Sequence, residues 1–186
     1  MSNVITLEEM QQSILTTRIQ GVSPLIQHKW SEKALNMLRD KHAGVKVKNR
    51  DVRVLEQEFK DAAYVCDDGR FGFPAGGIKK CLINAAHKDI GLEKTLLRKS
   101  LFILPDDINQ NLCAIESDDP IMREDIVKVG QGSTDLRYRP EFRNWSIVIK
   151  IEFYSLSLTQ KTIINLIKRA GFGVGLGEMR TEKSGE

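Results

Sequence analysis

Residues 144–177 read NWSIVIKIEFYSLSLTQKTIINLIKRAGFGVGLG, and their pattern decides the fold class. Trp145, Ile147, Ile149, Ile151 and Phe153 alternate with Ser146, Val148, Lys150, Glu152 and Tyr154. A period of two with one apolar face marks a half-buried strand. Ser157 or Thr159 is placed to cap a following helix, since a short hydroxyl can accept from the orphan amides of a first turn. Ile163, Ile164, Leu166, Ile167 and Ala170 then share one helical face. Gly171 is expected to end that helix, with Gly173, Gly175 and Gly177 alternating with Val174 and Leu176 in an extended return. Strand, helix and glycine-rich return match the second half of a split βαβ unit, so the expected class is α+β with a ferredoxin-like core.

Outward from that stretch, SILTTRIQ (13–20) is β-branched and alternating, and reads as a strand broken by Gly21-Val22-Ser23-Pro24. Ser31 is a plausible N-cap for SEKALNMLRDK. Residues 54–65 read as a short helix leading into a strand. Asp68-Gly69 is a turn signal, Phe71-Gly72-Phe73 is extended, and Pro74 stands where a helix begins. Ile78, Cys81, Leu82, Ala85 and Ala86 give that helix an apolar face. LLRKSLFIL (96–104) reads as a strand closed by Pro105, and residues 112–115 as another. Residues 116–144 lack a clear period and are expected to form a hairpin or arm. The organisation expected is a single domain over 1–186, with a basic insertion at 41–65 and a protruding arm at 105–144.

The 186 residues suffice for one domain with a real core. A net charge of +3 permits an anionic partner without demanding one, so the distribution of charge matters more than its sum. No apolar run approaches the roughly 20 residues that span a bilayer, and the first residues lack the pattern of a secretory signal. Cys66, Cys81 and Cys113 are odd in number and far apart, and His28, His42 and His87 complete no ligand spacing. The expectation is a cytoplasmic protein with buried, reduced thiols, no membrane partner, no cofactor and no metal.

Candidate binding residues come in four groups. Lys46, Lys48 and Arg50 lie in a basic run, which is either a solvated loop or a mobile arm on a phosphate backbone. Lys79 and Lys80, with Gly76 and Gly77, occupy a helix start that suits an anion; Arg70 precedes it. Arg137-Tyr138-Arg139 interleaves two guanidinium groups with a ring, the mixture that grips phosphates and stacks bases, although the arginines could equally pair with Asp135 or Glu141. Gly173, Gly175 and Gly177, followed by Arg180 and Lys183, would let a backbone or a nucleic-acid strand lie close. Catalysis finds little support. The pairs Asp67-Asp68, Asp106-Asp107 and Asp118-Asp119 are explained more cheaply as turn residues than as metal ligands, and no nucleophile, zinc-hydrolase or phosphate-loop motif occurs.

Three stretches in order, GVSPL (21–25), FGFPAGGIKKCLINAA (71–86) and AGFGVGLGEMR (170–180), resemble the RAMP (repeat-associated mysterious protein) superfamily. Within it the likeness is to the crRNA-binding backbone subunit of CRISPR effector complexes, and the chain also resembles small phage-encoded proteins with a similar glycine-rich ending. The resemblance implies an RRM-like palm with inserted and protruding segments. It also implies sequence-independent contacts to single-stranded RNA, side-by-side assembly into an oligomer or filament, and CRISPR effector subunits as further partners. No nuclease residue carries over. The leading expectation is thus a non-enzymatic binder of single-stranded RNA or DNA, acting in defence, counter-defence or phage nucleic-acid metabolism. The alternatives are a phage-encoded interaction module imitating a CRISPR subunit, and a metal-dependent nuclease using Asp67, Asp68 or the Asp118-Asp119 pair.

Overall fold

The computed structural model describes residues 9–45, 53–129 and 132–184. It is an α+β structure in which a central strand, β8 (Trp145–Tyr154), organises the larger of two sheets. β1 (Gln12–Gln20) lies antiparallel along the whole of one edge of β8, from Gln12 opposite Tyr154 to Gln20 opposite Ser146. The other edge is shared. β4 (Leu101–Leu104) pairs with the end of β8 and β5 (Leu112–Ser117) with its start, both antiparallel. β3 (Gly72–Pro74) completes the sheet against β5.

The alternation read in the sequence is the alternation observed. Ile147, Ile149, Ile151 and Phe153 are each at most 3% exposed and meet Ile19, Thr17, Leu15 and Ser13 across the ladder. Two helices, α3 (Ala75–Ile90) and α5 (Gln160–Gly173), pack on each other and share this core. From α3 come Ile78, Leu82, Ala85 and Ala86; from α5 come Ile163, Leu166 and Ala170. The alanines bring the two helix backbones close, as small residues at a contact do. Thr159 caps α5, accepting from the Thr162 amide at 3.1 Å.

The second sheet is β2 (Leu25–Ile26), β7 (Thr134–Phe142) and β6 (Ile121–Lys128), in that order with β7 central. The arm expected at 116–144 is therefore chiefly the β6–β7 hairpin. Its inner end is anchored, because Phe142 is 1% exposed and packs edge-on against Phe71 with ring centroids 5.2 Å apart. α2 (Leu55–Asp61) rests against β7. Arg53 holds it there, bonding Glu58 on α2, and Asp135 at 2.6 Å and the Leu136 carbonyl at 2.7 Å on β7. α1 (Glu32–His42) is capped by Ser31, which accepts from the Ala34 amide at 3.2 Å, and buries none of its residues.

Two local expectations are corrected. Residues 96–104 are not one strand: α4 (Lys94–Ser100) precedes β4. Leu96-Leu97 and Arg98-Lys99 break a period of two, whereas Leu97 and Ser100, three apart, bury one helical face. Strict alternation begins only at Leu101. Nor does Gly171 stop α5. The helix runs to Gly173, and Val174 follows Ala170 by four residues onto the same buried face. Left-handed geometry falls at Gly175, with φ 74°, whose amide donates back to the Ala170 carbonyl at 2.8 Å.

Candidate functional site

The three stretches that carried the resemblance converge. Gly21 packs flat under Trp145, so close that a Cβ at Gly21 would lie 2.1 Å from the indole nitrogen, which itself donates to the Ser23 carbonyl at 2.9 Å. This turn delivers Leu25 and Ile26 into the core. There the glycine-rich segment lands on them. The Glu178 amide donates to the Ile26 carbonyl at 2.8 Å, and a Cβ at Gly177 would stand 2.5 Å from that carbonyl oxygen. Gly177 also has φ 81°, a conformation that glycine adopts without strain. Gln27 joins the third stretch. Its amide donates to the Gly72 carbonyl at 2.8 Å and its side-chain oxygen accepts from the Tyr64 amide at 2.9 Å.

Between these parts lies a partly open cavity of about 370 Å³. Gly77, Lys80 and Asn84 of α3 line one wall and the 174–177 segment another; His28, Tyr64, Glu178 and Arg180 complete it. Cys81 ties the two walls together, its thiol 3.3 Å from the Gly175 carbonyl. Burial pushes that thiol up to about 12, so it stays protonated. Gly77 leaves room, since a side chain there would press on the Phe73 ring.

The charge of the cavity is uneven. Lys80 is exposed at its rim and has no carboxylate partner among the described residues. Arg180 lies against Gly175, donates to the Gly177 carbonyl at 3.1 Å and meets Glu182 at 3.2 Å. On the β2 side stands Glu178, 2.8 Å from Lys183. Burial pulls its carboxyl up, but the bond from Lys183 and the nearby Arg139 and His28 outweigh this, holding it below the usual range. His28 is pushed down by burial and by Arg139 and Arg137, so it is neutral near pH 7; its Nδ1 is buried without a partner among the described residues. Tyr64 is pushed up, first by burial and then by Glu178.

The sequence-predicted residues divide accordingly. Lys80, Gly175, Gly177 and Arg180 meet at the cavity. Lys79 does not: its ammonium donates to the Arg98 carbonyl at 2.9 Å and sits 4.0 Å over the Phe102 ring, and burial lowers its pKa. Gly173 is the last residue of α5 and exposed. Arg70 closes its own turn on Asp68 at 2.7 Å. Arg139 is 5% exposed and pairs with Asp125 at 3.2 Å. Arg137 pairs with Asp135 at 3.0 Å. Tyr138 faces Glu124 across the hairpin, and the hydrogen bond between them raises the phenol. Lys46, Lys48 and Arg50 lie outside the described residues.

The acidic pairs behave as turn residues. Asp67 accepts from Asn109 at 2.8 Å and Gln110 at 3.0 Å, Asp106 accepts from the Ala114 amide at 3.0 Å, and Asp107 from the Asp67 amide at 2.6 Å. His28, Tyr64, Asn84 and Glu178 were missed in the sequence. Asn84 and Glu178 lie within the 71–86 and 170–180 stretches but carried no signal of their own there, and His28 and Tyr64 lie in distant segments, so only the fold assembles the four. The chain matches no protein-family model, no curated protein and no solved structure.

Among the described residues no helix is long and apolar enough to cross a membrane.

Proposed function

We propose that the protein binds single-stranded nucleic acid without catalysing a reaction, through backbone contacts that are largely independent of sequence, and oligomerises along the strand. The observation that carries this reading is the cavity, where the α3 start bearing Lys80 and the glycine segment ending in Arg180 face a common space. A phosphate would meet Lys80 at the rim, with Arg180, shared with Glu182, lining the same cavity. On this reading the larger sheet, with α3 and α5 on one face, serves as the RRM-like palm. Preference for RNA over DNA, and kinship with CRISPR backbone subunits, rest on the sequence resemblance alone.

The test is fluorescence anisotropy with labelled single strands across a salt series. Binding should weaken steeply as salt rises, and Lys80→Ala with Arg180→Ala should flatten the salt slope by about two. An affinity indifferent to salt, or unchanged in the double variant, overturns the proposal.

A second reading, a module docking on other proteins, is favoured by α1. This helix buries nothing, and Trp30, Met37 and Leu38 expose 57%, 47% and 41% of their surface. Pull-down from nuclease-treated lysate separates the two. A protein partner retained by the wild type and lost with Trp30→Ala and Leu38→Ala supports this second reading.

A further inference from the structure

The two sheets leave several strands at an edge, and all but one are blunted. β3 and β4 run three and four residues, and β3 ends on Pro74. β2 runs two residues, and Ile26 within it is bridged by Glu178. β6 is long, but four of its eight residues, Arg123, Glu124, Asp125 and Lys128, are charged. Short strands, prolines and charges are the devices that keep a sheet edge from recruiting another chain. β1 lacks them. Its nine residues include no proline and a single charge, Arg18, and its register against β8 runs without a bulge from Gln12 to Gln20. No described residue pairs with its outer side.

The two ends of β1 fix which backbone groups face that outer side. The Gly21 amide donates to the Trp145 carbonyl at 3.0 Å, and the Ser155 amide donates to the Gln11 carbonyl at 3.0 Å. Each residue of a strand turns its N–H and its carbonyl to the same side, and successive residues alternate. The odd-numbered residues of β1 therefore spend theirs on β8. Gln12, Ile14, Thr16, Arg18 and Gln20 point theirs outward, an unbroken row of donors and acceptors. The side chains alternate as well. Leu15 and Ile19 pack on the core, whereas the even-numbered residues are exposed, Ile14 by 56%.

We propose that a second copy of this chain occupies the edge, β1 against β1, antiparallel about a two-fold axis at Thr16, joining two five-stranded sheets into one. That register sets Gln12 opposite Gln20, Ile14 opposite Arg18, and Thr16 opposite itself. Each is a hydrogen-bonded pair of the outward-facing residues, so every free group of both strands finds a partner. An axis elsewhere leaves strand ends unpaired, and one at Arg18 sets two guanidinium groups face to face. At Thr16 the axis instead lays each Arg18 stem across the exposed Ile14 of the other copy, with its charge answered by Glu116 of its own chain. On the helix-covered face Leu15 falls diagonal to Leu15 of the second copy, within reach of an apolar contact. The contact is isologous and closes on itself. One strand edge buries less than the roughly 800 Å² per partner of a stable complex, so the dimer is micromolar rather than nanomolar. It stands on the fold alone and is independent of the nucleic-acid reading; assembly along a strand uses another surface.

The experiment takes protein freed of nucleic acid by nuclease and high salt, and follows it by sedimentation velocity and NMR hydrogen exchange over a concentration series. The sedimenting species should shift from monomer to dimer as concentration rises through roughly tens to hundreds of micromolar. Over the same series the amides of Gln12, Ile14, Thr16, Arg18 and Gln20 should gain protection by at least about fivefold, while the odd-numbered amides of β1 stay protected throughout. Thr16→Pro removes an outward N–H that β8 does not use, and should leave a folded monomer at every concentration. Thr16→Cys should cross-link to itself on oxidation, since hydrogen-bonded partners stand about 5.5 Å apart at Cα. Ile14→Cys and Arg18→Cys each lie roughly 13 Å from their own mates and should cross-link only when the two variants are mixed. A wild type that stays monomeric, a dimer that forms without added protection of the five amides, or equal cross-linking from all three single cysteines overturns the proposal. Protection of the five amides already at the highest dilution means that the chain covers its own edge, which overturns it equally. The exchange series uses wild type alone, so it decides the matter even where Thr16→Pro fails to fold. Strand binding is tested separately by the anisotropy series, and neither result depends on the other.

Discussion

The β6–β7 hairpin and the α3–glycine cavity both gather cations, and they treat them differently. In the hairpin each arginine meets a carboxylate nearby. Arg139 faces Asp125, Arg123 reaches Asp125 at 2.8 Å and Glu141 at 3.3 Å, Arg143 reaches Glu141 at 2.9 Å, and Arg137 is held by Asp135. Asp125 and Glu141 are themselves buried. Charge there is internal cement, with little field left over for a ligand. In the cavity Arg180 is likewise paired, with Glu182 at 3.2 Å, but Lys80 stands exposed at the rim with no carboxylate partner among the described residues. Clustering of positive residues in a sequence therefore measures nothing about binding until the position of the acids is known.

The comparison breaks most sharply at Gly177. Gly177→Val forces a branched side chain into left-handed backbone and against the Ile26 carbonyl, and should cost at least about 3 kcal/mol in urea unfolding. Asp125→Ala, on the hairpin, strands the buried Arg139 guanidinium and should cost about 3 kcal/mol, yet leave strand affinity within about twofold under native conditions. If Asp125→Ala abolishes binding without unfolding the protein, the hairpin is more than cement. Lys80→Ala should weaken strand binding several-fold with stability nearly unchanged, as expected for an exposed phosphate contact. Lys79→Ala, one residue away, should do the reverse: about 1 kcal/mol of stability lost with the Phe102 and Arg98 contacts, and affinity held within about twofold.

The smallest effect is a pH response. His28 has a depressed folded-state pKa, so it contributes stability that is present above its ordinary value near 6.5 and is lost as pH falls below it. Wild type should therefore lose thermal stability from neutral pH into mild acid, and His28→Gln should lose less over the same range.

The larger sheet's central strand was legible because Trp145 to Phe153 obey a two-residue period that few other structures tolerate. The capping of α1 by Ser31 and α5 by Thr159 was legible for the same local reason. The boundary at Gly171 was misread because a glycine inside a helix costs only about 1 kcal/mol, which burial of Val174 outweighs. α4 was misread because its seven residues carry too few turns to show a period. Half of the candidate site was visible as glycines and lysines. Lys79 and Lys80 are nonetheless indistinguishable in sequence, and their surroundings part only because α3 turns one onto Phe102 and leaves the other exposed at the cavity rim.

The bridge between Ile26 and Glu178 spans most of the chain, and Arg180 stands beyond it. A ribosome must therefore extrude both flanks before the cavity has walls. Translation that stalls after α5 releases a product with the sheet nearly whole and the cavity still lacking a wall.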